Sequence, residues 1–351
     1  MQRCSNCILP ETVKGIKFNK EGICNFCLEY NTKPSQKLKG SDALKKKILS
    51  LKQPTSKYDC LVLISGGRES TFILYYIVEE LHLRPLAVNY NNDFIEPTAQ
   101  ENMKKITKQL GVDFIQIRSQ KRLRRKLVRN SLILNIDRGI PGILQSLCTH
   151  CWIGQRSTAY FMAKKYRLPI VWGGSSDEKT EHLFPYNYNK NNFSSQFRTF
   201  LRLHYFITYL SLHYYSYLMH QEFPLYSNNP SIDNLPNLIR FFDYVAHDEN
   251  LIIETNIKKL NWKTSNLTKV PWRFDCYNAI LQQFYLRKLF GFNKTDINLS
   301  YMIRKGLISR SNALKLVEED KKYLTFDKLR FIFDSLNLPN KVMKKIEQLS
   351  T

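Results

Sequence analysis

Cys60-Leu61-Val62-Leu63-Ile64-Ser65-Gly66-Gly67-Arg68-Glu69-Ser70-Thr71 is the stretch on which the reading of the chain turns. Its five leading apolar residues make a strand buried on both faces, as in the interior of a parallel sheet. Two glycines then let the backbone turn sharply, and Ser70-Thr71 opens an apolar helix over 69–82. Such a turn aims its N–H groups, with the N-terminus of the next helix, at a single anion. Ser65, Gly66, Gly67 and Ser70 are therefore candidate ligands for nucleotide phosphates. Arg68 adds charge, and Glu69 is a candidate carboxylate for Mg2+ on those phosphates. A Ser-Gly-Gly run alone also occurs in plain strand–helix turns, so the flanking strand and helix carry the reading.

Downstream, apolar runs alternate with amphipathic stretches. Strands are expected at 85–90, 113–117 and 169–172, and helices at 96–110, about 120–135 and 151–166. This alternation predicts an α/β fold with a doubly wound parallel sheet and chemistry at the carboxyl ends of its strands. Asn89, ending the second strand, is placed to meet an adenine edge. Asp177 follows the fourth strand in Gly173-Gly174-Ser175-Ser176-Asp177. It is a candidate for holding Mg2+ or steering a nucleophile, with a helix cap as the plain alternative. From residue 183 aromatic, helix-period sequence dominates, and a helical tail is expected from about 278. The expected division is a cysteine module at 1–36, a nucleotide-binding domain at 37–182, and a mainly helical region at 183–351 that binds substrate or partner.

Upstream, Cys4 and Cys7 in CSNC and Cys24 and Cys27 in CNFC form two knuckles. Four thiolates at this spacing predict a zinc ribbon, since Zn2+ accepts four sulfurs tetrahedrally. Gly22 helps the tight turn before the second pair. Cys148 and Cys151, at the start of the helix expected at 151–166, and Cys276 downstream are candidates for a second metal or an iron–sulfur cluster (4Fe-4S). Ordinary helix thiols and a core cysteine are the alternative. Asp275, beside Cys276 and near Arg273, is a candidate for orienting a thiolate or a substrate, or half of a buried ion pair.

Six of the eight cysteines lie in CxxC pairs and no apolar leader precedes them, which points to reduced thiols in a cytoplasmic protein. Leu201 to Met219 approaches spanning length, but Arg202, His204 and His213 interrupt it. It reads as a buried or interfacial helix rather than a transmembrane segment. The 351 residues, 43% apolar, suffice for about two domains. A net charge of +23 favours polyanions such as nucleic acid or nucleotide sugars. Runs such as Lys45–Lys47 and Lys121–Lys126 read first as solvated helix faces, ahead of a dedicated polyanion patch.

SGGRES resembles the SGGxDS pyrophosphate loop of the PP-loop ATPases, the ATP pyrophosphatases of adenine nucleotide α-hydrolase-like (HUP-like) fold. Within that group, CSNCILPETVKGIKFNKEGICNFC resembles the opening of N-acetyl sugar amidotransferases of surface-polysaccharide biosynthesis. LCTHCW at 147–152, Trp262-Lys263 with Arg273-Phe274-Asp275-Cys276, and GLISRSNALKLVEED at 306–320 extend the resemblance along nearly the whole chain. It implies that 37–182 is a PP-loop ATP-pyrophosphatase domain. It also implies an ATP-dependent ligase in lipopolysaccharide O-antigen synthesis, converting the acetamido group of a nucleotide-linked sugar to an acetamidino group. ATP activates the amide oxygen as an O-adenylyl imidate, ammonia attacks, and AMP and pyrophosphate leave. Arg68, Glu69, Asp177 and Asp275 are then the expected catalytic residues. The implied partners are a glutaminase subunit supplying ammonia and a cyclase-like subunit. No glutaminase nucleophile motif is visible in this chain, and nucleic acid is not the expected partner. Glu69 departs from the usual aspartate, which puts the strength of the ATPase in question. The alternative is a PP-loop tRNA thiolation enzyme with an iron–sulfur cluster, favoured by the net charge and the three downstream cysteines. A third reading is a non-catalytic scaffold that docks a glutaminase, supported by Glu69 alone.

Overall fold

A computed structural model describes residues 1–32, 38–118, 123–173, 237–267 and 274–351. Its centre is a parallel sheet of Cys60–Leu63 (β1), Pro85–Asn91 (β2), Phe114–Arg118 (β3), Ile170–Trp172 (β4) and Leu238–Arg240 (β5). The strand order is β3-β2-β1-β4-β5. Leu61 of β1 is in register with Leu86 on one side and Ile170 on the other, so this apolar run is paired along both edges. Alternate residues serve opposite faces. Leu61, Leu86, Val88 and Ile170 pack with Ala159, Met162 and Ala163 of the helix Ile140–Tyr166. Val62, Ala87, Val171 and Ile239 pack with Phe72 and Ile73 of the helix Arg68–Tyr75 and with Met103 and Ile106 of the helix Pro97–Gln109. Helices on both faces are the expected doubly wound arrangement. The chain winds outward from β1 through β2 to β3 and then reverses to β4. The crevice at the carboxyl ends of β1 and β4 is therefore the natural ligand site.

Three expectations need correction. The sheet does not end with the fourth strand: Leu238–Arg240 pairs with β4, beyond the boundary drawn at 182. Three residues give no readable alternation, which is why this strand escaped the sequence. The helix carrying Cys148 and Cys151 begins at Ile140, where Gly139 and Pro141 set its entry, so both cysteines lie inside it rather than at its start. The helix after the glycine loop gives way at Tyr76–Glu80 to a π-helical turn, which closes the element before 82. Asp177, Arg273 and the segment Leu201 to Met219 lie outside the described residues. No helix among the described residues is long and apolar enough to cross a membrane.

Helices that follow β5 span Glu249–Leu260, Tyr277–Phe290, Lys294–Arg304, Arg310–Tyr323, Phe326–Asp334 and Asn340–Ser350. The cysteine module docks on them: Cys4, Cys7, Cys24 and Cys27 share a core with Leu281, Phe292 and Phe333. Buried charges tie the same interface. Arg3 Nη1 lies 2.9 Å from Asp296 Oδ1, and Arg287 Nη2 lies 2.9 Å from Asp296 Oδ2 and 3.2 Å from Asp320 Oδ2. Burial pushes the Asp320 carboxyl above the usual carboxylate range, against the pull of Arg287.

Candidate functional site

The glycine loop leaves β1 with Gly66 at φ +78°, in the left-handed region, and a Cβ there would sit 2.2 Å from the Ala99 carbonyl oxygen. Only glycine meets both demands. The Gly66 carbonyl accepts from the Trp262 indole Nε1 at 2.9 Å, and the Arg68 carbonyl accepts from Asn256 Nδ2 at 2.7 Å. Asn102 joins the clamp, donating to the Lys263 carbonyl at 2.8 Å. On the other side, the Ser65 amide donates to Ser70 Oγ at 3.1 Å and the Gly67 amide to Ser65 Oγ at 3.3 Å. Cys60, at the base of the same strand, is fully buried, and burial pushes its thiol well up, so it is a packing residue.

Arg68 lines the cavity beside the loop with its guanidinium engaged. Its Nε and Nη2 donate to Glu249 Oε2 and Oε1 at 2.6 and 2.5 Å, a bidentate pair whose side chains are only 10% and 5% exposed. Breaking a buried pair leaves a desolvated charge, so Glu249→Gln should cost about 3 kcal/mol of stability. Urea unfolding measures this, and a loss under about 1 kcal/mol would show the pair to be dispensable. Glu69 Oε1 lies 3.0 Å from Arg68 Nη2 and 3.2 Å from His247 Nε2. The ligand atoms of Glu69, His247 and Glu249 lie within 4.8 Å of one another. Both oxygens of Glu249 are engaged by Arg68, and Glu69 is the more exposed carboxylate of the group, at 34% against 5%. One carboxylate plus substrate phosphates is an ordinary Mg2+ environment.

A cavity of about 340 Å³ opens above these residues. Ser65, Gly67, Glu69 and Ser70 line one side, and Lys294, Asn298, Tyr301 and Met302 of the helix Lys294–Arg304 line the other. Spacings of four, three and one residues put that second group along one helix face. Asp275 lines the cavity too, with Oδ2 3.3 Å from where a Gly67 Cβ would lie. Its segment is held by the Glu96 amide donating to the Asp275 carbonyl and the Tyr277 amide donating to the Phe94 carbonyl. Asn89 reaches the cavity with its amide engaged: Nδ2 donates to the Ile64 carbonyl at 2.7 Å, and Oδ1 accepts from Gln116 at 2.9 Å.

Sequence reasoning missed His247, Glu249 and Lys294. All three are far from the loop in the chain, and none stands in a motif. The nearest signal was Asp248, whose carboxylate caps the helix Glu249–Leu260 and so fixes its two neighbours.

The four amino-terminal cysteines are buried and converge, with Cys4 Sγ 4.0 Å from Cys27 Sγ and Cys7 Sγ 3.8 Å from Cys24 Sγ. A tetrahedral Zn2+ with ligands at about 2.3 Å requires sulfurs about 3.8 Å apart. Amides of Cys7 and Cys24 point at Cys4 Sγ, and the Leu9 amide points at Cys7 Sγ. These donors stabilise thiolates, so the residues fit a zinc ribbon. Arg310 Nε closes the module, donating to the carbonyls of Cys4 and Cys7 at 3.1 and 2.9 Å.

The side chains of Cys148 and Cys151 lie outside the described residues; the helix backbone that carries them is joined to the segment of Cys276 at the Leu147 carbonyl oxygen. Leu147 precedes Cys148, and in a helix its carbonyl faces the amide of Cys151 four residues on. Asn278, two residues after Cys276, donates to that oxygen from Nδ2 at 3.1 Å. Cys276 Sγ itself lies 3.2 Å from Asn92 Nδ2.

Residues 264–350 match the family of LPS biosynthesis proteins, WbpG-like, C-terminal domain. An uncharacterized protein of Methanocaldococcus jannaschii is 31% identical over 114 residues, a stretch covering 32% of this chain and 41% of that protein. Among solved structures, the chain is similar to the U34-tRNA thiolase NcsA of Methanococcus maripaludis with its 4Fe-4S cluster, at 12% identity and a TM-score of 0.33. The match covers 88% of this chain and 87% of that one.

Proposed function

We propose that the chain is an ATP-dependent amidotransferase that converts the acetamido group of a nucleotide-linked sugar to an acetamidine during lipopolysaccharide synthesis. One observation carries this reading. The cavity that opens on a nucleotide-type glycine loop has its opposite wall in Lys294–Met302, inside the region that matches the WbpG-like domain. An adenylating loop and a polysaccharide-type domain thus share one space.

The chemistry follows from the poor leaving ability of an amide oxygen. Transfer of AMP to that oxygen forms an O-adenylyl imidate and expels pyrophosphate. Ammonia then adds at the imidate carbon, and AMP leaves with the oxygen. In the loop, an incoming phosphate competes for the Ser65 and Gly67 amides, and the hydroxyls of Ser65 and Ser70 turn to donate to it. Glu69 would hold Mg2+, which would offset the charge of the phosphates. Arg68 acts mainly by fixing the helix start through Glu249. Asp275, which lines the cavity against Gly67, is assigned the proton from attacking ammonia. The nucleophile comes from a glutaminase partner, with a cyclase-like subunit in the same assembly. Asn89 shapes the floor toward the adenine, and Asp177 is a further candidate acid. Zn2+ in the Cys4, Cys7, Cys24 and Cys27 set is structural. Cys148, Cys151 and Cys276 hold a second metal or an iron–sulfur cluster.

The test is to supply ATP, Mg2+, ammonium chloride and acetamido nucleotide sugars. Equimolar AMP, pyrophosphate and a product with oxygen exchanged for NH are expected. No AMP with any such sugar would refute the reading. Glu69→Gln should lower AMP formation by about two orders of magnitude by removing the Mg2+ carboxylate. Glu69→Asp should retain most of it, because the charge survives. Equal rates in Glu69→Gln and the unaltered protein would remove the metal role.

The convergence at Leu147 favours a second reading, tRNA thiolation. AMP release dependent on tRNA and a sulfur donor, with none on acetamido sugars, would establish it instead.

A further inference from the structure

Two anionic ligands share the cavity in the proposed reaction, ATP and a sugar carried on a nucleoside diphosphate. Glu69 and Asp275 line it on the side of the glycine loop. Arg68 lines it too, but its Nε and Nη2 are committed to Glu249. The lysine of the facing wall is Lys294, only 7% exposed. A lysine ammonium is a strongly hydrated point charge, and it gives up water on favourable terms only against an anion or a set of acceptors.

The backbone fixes where Lys294 stands. Asn293 caps the helix Lys294–Arg304 in a reciprocal box with Asp296. Its Oδ1 accepts from the Thr295 amide at 2.8 Å, and its amide donates to Asp296 Oδ2 at 3.0 Å. The Lys294 amide donates to Gln283 Oε1 at 3.0 Å. Asn293, Asp296 and Gln283 are all buried. These first amides of the helix are thus spent inside the protein, and what this end offers an anion is the Lys294 side chain. Asn298 and Tyr301 follow it on the same helix face and line the same cavity. An amide and a phenol are groups that bond sugar hydroxyls. The Tyr301 ring is set by Tyr30, edge-on at 6.4 Å, and by Lys305 Nζ, 4.5 Å from its centroid.

We infer that Lys294 holds the diphosphate of the acceptor, with Asn298 and Tyr301 along its sugar, and so selects a nucleoside diphosphate sugar over the free sugar. This rests on the amidotransferase reading and gives the wall facing the loop a ligand of its own. Charge separates the two ligands. The loop amides, with the Mg2+ that Glu69 would hold, meet the phosphates of ATP. A second diphosphate on that side would face Glu69, Asp275 and those phosphates together, whereas the Lys294 wall attracts it. Lys294 takes no part in bond making, so its loss shows in binding more than in the chemical step.

The experiment uses the whole protein, unaltered and as Lys294→Met, Lys294→Arg and Asn298→Asp. AMP formation is measured against ATP, against acetamido nucleotide sugars and against the corresponding free sugars. Lys294→Met should raise KM for the nucleotide sugar about 30-fold, the worth of one charge-assisted bond, and far more than it lowers kcat. KM for ATP should stay in place, the preference for nucleotide-linked over free sugar should fall by a similar factor, and Lys294→Arg should recover part of both. A merely structural role would weaken both substrates together. Calorimetry gives a second readout: with the loop filled by α,β-methylene ATP, UDP and the nucleotide sugars should bind about 30-fold more weakly to Lys294→Met.

AMP formation with an unchanged KM for the nucleotide sugar in Lys294→Met would overturn the role of Lys294 and leave the proposed reaction standing. A rise in KM confined to ATP would overturn it too, by placing the lysine on the other ligand. Binding of UDP that depends on Lys294, with no AMP from any sugar, would keep the diphosphate site and remove the reaction. Binding of neither UDP nor any nucleotide sugar would remove the site. Should Lys294→Met fail to fold, Asn298→Asp decides. A carboxylate one turn along the same face should weaken the nucleotide sugar about tenfold by like-charge repulsion, and an unchanged affinity would overturn the proposal.

Discussion

Gly66→Ala should abolish AMP formation and cost about 3 kcal/mol of stability, the larger part from backbone strain and overpacking. The residue sits at φ +78°, and the added methyl would stand 2.2 Å from the Ala99 carbonyl oxygen, closer than any real contact. That oxygen belongs to the helix Pro97–Gln109 and cannot swing aside as a flexible side chain would. The loop must move, and its movement breaks the bonds from Trp262 and Asn102 to the Gly66 carbonyl. Urea unfolding and a radiolabelled AMP assay check the two effects separately. Full turnover in Gly66→Ala would mean the loop does not hold phosphate in this conformation. Gly67→Ala probes the same loop more gently, since the nearest atoms to its Cβ would be side-chain ones, Ser65 Oγ at 3.2 Å and Asp275 Oδ2 at 3.3 Å.

Cys24→Ser should empty the amino-terminal metal site and cost about 4 kcal/mol or more, because structural zinc binding contributes directly to folding free energy. All four cysteines are buried, and the chain around them has little regular structure: a short helix, Asn25–Thr32, and isolated bridges such as Phe18 with Cys24. Without metal, four close sulfurs repel as thiolates or sit as poorly bonded thiols. Metal analysis should fall by one equivalent of zinc, with a matching loss of thermal stability. A variant retaining a full equivalent, or one melting with the unaltered protein, would remove the zinc-ribbon assignment.

The sheet was legible because its strands are continuous apolar runs flanked by turns, and Val62 or Val88 admits no other placement. The glycine loop was legible because two adjacent glycines between such a strand and a helix have few structural uses. The amino-terminal knuckles were legible from spacing alone. What stayed hidden depends on contacts between distant segments. Glu249 pairs with Arg68 across 181 residues, and nothing near either residue announces the other. Lys294 reads as an ordinary helix-opening residue until the helix is docked over the loop. Arg124 is the extreme instance: burial reverses the meaning of a basic residue that composition assigns to solvent. Leu238–Arg240 was hidden for a simpler reason, being too short to display a period.

The helix Lys294–Arg304 has two clients. Lys294, Asn298 and Tyr301 look into the cavity, while Leu299 and Met302 pack on Ile8, and Ser300 Oγ accepts from the Ile8 amide at 3.3 Å. Asp296, near its start, is tied to Arg3. The amino-terminal module is therefore a keel under the cavity wall. Thermodynamic linkage makes the relation reciprocal. To whatever extent filling the cavity favours the docked position of this helix, it would tighten the hold of the four cysteines on a metal ion, and emptying that site would loosen the grip on a cavity guest by the same factor.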